Sequence, residues 1–214
     1  MDKLIREIEK LTARCRDLGI EQSLDWERFN RYSIVHHSTA IEGSALTEVE
    51  TDLLLSEGIT AKGKPMEHHH MVKDHYQALL NILKLSEKNT EITIELIRKI
   101  AAGVMKNTGS TYNTIAGSFD SSKGEFRLLN NYAGETRFPD FKKVPDLLKV
   151  FCDDLNASLK KISKSEDVHI TAFDAHFNLV SIHPFADGNG RVSRLMMNFI
   201  QHRFNEPLSI VYKE

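Results

Sequence analysis

HPFADGNGRVSR, the run from His183 to Arg194, stands between two stretches of helical periodicity, and the rest of the chain is read outward from it. Gly188, Asn189 and Gly190 let successive backbone N–H groups converge into an anion-binding concavity, because glycine enters the backbone regions such a nest requires. The run then opens a helix, whose first turn offers unpaired N–H donors and a partial positive charge to a phosphate. Arg191 and Arg194 lie three residues apart, so both guanidinium forks face the same anion. Asp187, just before the nest, supplies the hard oxygen that a Mg2+ on a nucleotide polyphosphate takes. His183, with an ordinary pKa of about 6.5, is suited to accept a proton from an incoming hydroxyl. These are the parts of phosphoryl or nucleotidyl transfer, which rests mostly on positioning and charge neutralisation. GNG alone is a tight turn and His-Pro alone a helix stop; their conjunction at this spacing carries the reading.

The run resembles, position for position, the HPFx(D/E)GNGRxxR signature of the Fic family, whose best-known members transfer AMP from ATP to a hydroxyl on a protein. The resemblance implies that His183 is the base, Asp187 the Mg2+ ligand, Gly188 to Gly190 the anion hole, and Arg191 and Arg194 the polyphosphate clamp. Pro184 and Phe185 would seat the loop.

A second motif, Ser38-Thr39-Ala40-Ile41-Glu42-Gly43, ends a helical stretch that begins near Asp25 and carries Trp26, Phe29, Tyr32 and Ile34. It resembles the (S/T)xxxE(G/N) inhibitory motif of many Fic proteins. Glu42 is then expected to pair with Arg194 and occupy donors that the γ-phosphate needs, with Ser38 and Gly43 completing the motif. The family pattern often continues with asparagine, where this chain has Ser44.

The remaining periodicity is helical. Leu4, Ile5, Ile8, Leu11, Cys15 and Leu18 mark an amphipathic helix closed by Gly19. Thr47 and Glu50 have capping-box spacing for a helix to about Ser56, and Gly58 through Pro65 reads as a turn or short hairpin. A helix from about Met66 to Leu85 buries Val72, Tyr76, Leu79, Leu80 and Leu83. Its His68-His69-His70 run is no metal site, since adjacent helical residues point about 100° apart. Further helices are expected over Ile94 to Val104, from Pro145 to about Ile162, and over Ile170 to Ile182 with Phe173, Phe177 and Val180 inward after a polar KSED turn. His176 on that helix reads as a hydrogen-bonded core histidine. A last helix, Asn189 to His202, buries Leu195, Met196, Phe199 and Ile200.

From about Asn107 to Asp140 the periodicity stops and Asn, Ser, Thr and Gly dominate, the pattern of a functional loop. Phe126 to Glu135 has the makings of a short hairpin. In Fic proteins this region is a flap whose exposed edge registers the target polypeptide by strand addition and contacts the nucleotide. Tyr132, Ala133 and Gly134 align with its nucleotide contacts, and Arg127 is its firm anchor.

At 214 residues the chain is long enough to bury one sizeable core. Its 28 basic and 30 acidic residues nearly balance, which gives no sign of a nucleic-acid or membrane partner. Cys15 and Cys152 form no disulfide framework, and MDKLIREIEK lacks an apolar signal region, so a reducing cytoplasm is expected. LSIVYKE ends the chain where Fic proteins lead into a helix that walls the adenine pocket. The expected fold is all-α, about eight helices with a small β-hairpin flap: residues 1–60 carry the inhibitory motif and 61–214 form the catalytic core, as one compact unit. The expected function is autoinhibited transfer of AMP from ATP, with Mg2+, to a protein Ser, Thr or Tyr hydroxyl, the chain itself being one candidate target and a homodimer compatible. Removal of AMP, transfer of another phosphate-containing group, and a nucleotide-binding module without turnover are the alternatives.

Overall fold

The computed structural model describes residues 2–19, 25–88 and 90–213. Among them the elements run α1 (Asp2–Asp17), α2 (Trp26–Ile41), α3 (Glu48–Ser56), α4 (Met66–Ser86), α5 (Ile94–Val104), β1 (Thr111–Thr114), β2 (Gly117–Asp120), β3 (Tyr132–Ala133), β4 (Thr136–Arg137), α6 (Val144–Leu159), α7 (Ser165–Ile182) and α8 (Asn189–Arg203). The fold is all-α, as expected, with two short antiparallel hairpins instead of one.

Helix α8 is the axis. Every residue from Arg191 to Gln201 is buried, which places the helix inside the domain with neighbours on all sides. It packs on α7, α4, α5 and α2. Leu195, Met196, Phe199 and Ile200 are fully buried, each contributing about 2 kcal/mol. The nest-bearing loop is therefore anchored on a helix buried from Arg191 to Gln201.

Local chemistry sets the other boundaries. Asp25 caps α2 by accepting from Arg28 N, and Thr47 and Glu50 form a complete capping box on α3. Thr93 caps α5 through Leu96 N, and Pro145 sits in the first turn of α6, where its missing N–H costs nothing. Gly19 takes φ 64 after α1. Cys15 and Cys152 are free thiols.

Several expectations are corrected. The KSED stretch is the first turn of α7, not a link before it: Glu166 and Asp167 sit at the helix's positive end. Its inward face is Val168, Ala172, Ala175 and Leu179, while Phe173 and Phe177 are exposed. Phe173 and Phe177 fall out of helical phase with the stripe through 168, 172, 175 and 179 that α7 buries. Residues 58–65 form turns with no strand. The α1 residues Leu4, Ile8, Leu11 and Leu18 remain exposed, and the Ile5 side chain lies outside the described residues. The segment expected to lack regular structure holds β1 and β2, paired from Thr111↔Asp120 to Thr114↔Gly117. The hairpin expected over 126–135 lies further on, with Tyr132 opposite Arg137 and Gly134 turning at φ 57.

Candidate active site

Helix α7 ends at His183, which takes φ 52 and closes the helix through its N–H to the Leu179 carbonyl, 3.2 Å. A histidine in the left-handed region is uncommon and must be held there. Its Nδ1 lies 3.2 Å from the Val180 carbonyl. A carbonyl only accepts, so Nδ1 carries the proton and Nε2 keeps its lone pair. The ring stacks on Phe138, with centroids 3.7 Å apart. Burial pushes the His183 pKa below its ordinary value and Arg127 adds to this, while the Val180 bond, Glu42 and Asp187 oppose it. The imidazole is thus neutral near pH 7.

What holds His183 is Arg127. Its side chain is fully buried; Nε donates to the His183 carbonyl (2.7 Å), Nη1 to Leu129 (2.7 Å) and Nη2 to Pro139 (2.6 Å). One guanidinium thereby ties residue 183 to both roots of the β3–β4 hairpin, through charge-assisted bonds that are each worth more than a neutral one. Asn131 adds a second tie, donating to the Phe185 and Ala186 carbonyls.

The nest follows. Gly188 takes φ 79, and a Cβ there would press on the Met105 sulfur at 2.9 Å. Asn189 contributes its backbone only, since its side-chain oxygen accepts from Phe185 N and its amide donates to Phe185 O, both 2.9 Å. Asp187 accepts from Gly188 N at 2.6 Å, and its second oxygen is 3.4 Å from Arg191 Nη2. The Asp187 side chain is 55% exposed. Arg191 is 1% exposed, and its Nε and Nη1 have no hydrogen-bond partner among the described residues. Buried donors left unmade are costly, so an anion arriving there is strongly favoured.

Arg194 is engaged otherwise. Its Nη2 donates to Glu42 Oε1 at 2.6 Å and to the Ser38 carbonyl at 3.0 Å, and its Nε to Ser38 Oγ at 2.8 Å. Glu42 caps α2 and Gly43, at φ 97, turns the chain away. A Cβ on Gly190 would collide with the Glu42 carboxylate, so this carboxylate rests on the first turn of α8. Burial lowers the Arg194 pKa, against the bond and charge of Glu42. Ser44 instead accepts from Leu46 N, in the turn beyond.

The Fic/DOC family model matches residues 91–201, about half of the chain and all of the nest. The chain belongs to the Fic/DOC family. This Fic chain is 33% identical over 209 residues to protein adenylyltransferase fic-1 of Caenorhabditis elegans, covering 96% of itself and 38% of that protein. It is 32% identical over 181 residues to protein adenylyltransferase Fic of Drosophila willistoni, covering 84% and 34%. It thus spans little more than a third of these curated relatives. A Fic domain containing signaling protein from Bacteroides thetaiotaomicron shares the fold at TM-score 0.77 and 23% identity, over 96% of this chain and 76% of that one. The solved Fic-1 of C. elegans aligns at TM-score 0.68 and 27% identity, over 94% and 64%.

In this Fic chain the motif residues from His183 to Arg194 converge, and Glu42 and Ser38 join them from α2. Tyr132, Ala133 and Gly134 do not enter the nest; they are exposed on the hairpin, tied to it through Asn131. Sequence reading missed Phe138, Asn131 and Met105, because no spacing links residues 105 or 138 to 183. It also missed Asp74, which holds Asn107 at 2.7 Å through both N and Nδ2 and so fixes the segment after Met105. His176 is no relay to His183, whose Nδ1 is taken by Val180. Of the histidine run, His68 accepts from Ala45 N and His69 from Ala61 N. No group of three metal-binding side chains occurs among the described residues.

Proposed function

We propose that this chain is an adenylyltransferase that moves AMP from ATP to a Ser, Thr or Tyr hydroxyl of a protein, and that Glu42 restrains it. The reading rests on one observation above the rest: His183, whose Nε2 has no hydrogen-bond partner among the described residues, lies in the same loop as a buried guanidinium, Arg191, with two donors unpartnered among those residues. The names of the relatives support the same activity.

Asp187 suits a Mg2+ ion that arrives with the nucleotide. Such an ion takes one or two carboxylates and completes its shell with phosphate oxygens and water, and Asp187 is an exposed carboxylate whose second oxygen is held only loosely. Bound there, Mg2+ would neutralise polyphosphate charge.

The chain's own residues supply the rest. Arg191 and the amides at the start of α8 bind the polyphosphate. The target hydroxyl oxygen forms a bond to the α-phosphorus as the bond to the bridging oxygen breaks; its proton passes to His183 Nε2, and pyrophosphate leaves. Phe138 and Arg127 keep the imidazole aimed. While Glu42 sits on Arg194 and against Gly190, the outer phosphate has neither donor nor room.

The test is incubation of wild type and Glu42→Gly with ATP, Mg2+ and cell lysate, read by intact-mass and peptide analysis. Addition of AMP that rises in Glu42→Gly and vanishes in His183→Ala is expected. A different added group, or loss of AMP from a modified protein, would replace transfer of AMP by one of the related chemistries, and an unchanged Glu42→Gly would end the restraint reading.

A further inference from the structure

A cleft of about 470 Å3 lies between α6 and α7, outside the nest. Its floor is apolar, built by Leu147, Phe151, Ala175 and Ile182, and its rim carries Asp154 and Asp174. No lysine, arginine or histidine lines it. Both rim carboxylates are exposed, and neither is paired with a cation among the described residues. One end of the cleft reaches Pro139, whose carbonyl shares the Arg127 guanidinium with the His183 carbonyl. Ile182, at the same end, immediately precedes the base. The cleft therefore begins where the β3–β4 hairpin returns to the core, one guanidinium away from the backbone of residue 183.

We propose that this cleft docks the target polypeptide. It takes an apolar side chain on its floor and a lysine or arginine between the Asp154 and Asp174 carboxylates, a few residues along the target from the hydroxyl that is modified. The proposal rests on the transfer reading above. Continuity with the hairpin, through Pro139, and with residue 183, through Ile182, selects the target chain as occupant. The two unpaired carboxylates set the sign of the charge. A second copy of this chain fits less well, because a stable interface needs about 800 Å2 per partner and a cleft of this volume accepts only a few side chains. Rim charges chiefly set specificity and encounter rate, so the cleft would choose among targets and leave the chemistry alone.

The probes are two labelled eight-residue peptides, one with a central leucine flanked by lysines and one with glutamates in the lysine positions. Binding to the full chain is read by fluorescence anisotropy, alongside an Asp154→Lys/Asp174→Lys variant. The lysine peptide should bind the wild-type chain at least tenfold more tightly than the glutamate peptide, and the variant should reverse that order with ATP affinity unchanged. Equal binding of the two peptides, or a preference the variant leaves intact, overturns the proposal. So does a wild-type dimer in sedimentation that the variant dissociates, which would make the cleft a self-interface. Lysate labelling separates the two readings: transfer without peptide preference removes the cleft alone, and peptide preference without transfer removes the activity alone.

Discussion

Replacing Glu42 by glutamine keeps the side chain's shape and removes its charge. The Arg194 side chain is 9% exposed and that of Glu42 23%. Breaking a buried pair costs about 3–5 kcal/mol, and an exposed one contributes about 0–1 kcal/mol. Ser38 still accepts two bonds from the guanidinium, so an intermediate loss of about 2 kcal/mol is expected. For a chain of this length that lowers Tm by about 4–8 °C. A phosphate approaching Arg194 must displace the same interaction, so ATP should bind Glu42→Gln about 30-fold more tightly than wild type. Nucleotide would then raise the variant's Tm more than the wild type's. Differential scanning fluorimetry with and without ATP and Mg2+, paired with calorimetric titration, measures both. A variant that melts with the wild type and binds ATP no better would refute the reasoning. A lower Tm without tighter binding would make the pair structural only.

Gly190→Ala should push Glu42 off Arg194 and raise ATP affinity in the wild-type background but have little effect in Glu42→Gly, a coupling that a double-mutant cycle reads directly. Arg127→Lys retains the charge but reaches only part of the three-carbonyl grip. Transfer should fall about 100-fold, as for a base misplaced by about 1 Å, with ATP affinity held within about threefold; added guanidinium should restore activity in Arg127→Ala but not in His183→Ala. Because burial lowers the His183 pKa, the transfer rate should climb with pH and level off with a midpoint below about 6.5; a midpoint above that value contradicts a neutral base. His75 is fully buried with both ring nitrogens unpartnered, and burial together with Arg191 and Arg194 holds its pKa well below the usual value. Below about pH 6.5 the unfolded chain therefore binds a proton that the folded chain refuses, and stability falls with pH down to the lowered folded value. His36, His176 and His183 shift in the same direction. Urea unfolding at pH 7.5 and 5.5 should show a smaller loss in His75→Met than in wild type.

The motif run was legible because its chemistry is local. Nest, carboxylate, arginines and base lie within one helix–loop–helix, so spacing alone placed them together, and a helical pattern this strong fixed α8 as well. The meeting of Glu42 with Arg194 spans 152 positions and was visible only through a second motif. The grip of Arg127 on residue 183 had no periodic signature, since it runs from one side chain to three carbonyls of irregular backbone. Phe173 and Phe177 misled for a related reason: apolarity marks a side chain as fit for burial, but the stripe α7 buries runs through Val168, Ala172, Ala175 and Leu179. The β1–β2 hairpin escaped because its short strands, TYNT and GSFD, are mostly Thr, Asn, Ser and Gly and look like loop.

The Asn189 side chain, turned back onto Phe185, and the bonds from Arg127 and Asn131 to the loop's carbonyls mean that the protein itself sets the loop's shape before any ligand arrives. Under the proposed restraint, a resting and a working form would share one backbone there, and switching would ask only for the withdrawal of Glu42 from Arg194. On that proposal a regulator could act on α2 without approaching the reaction centre.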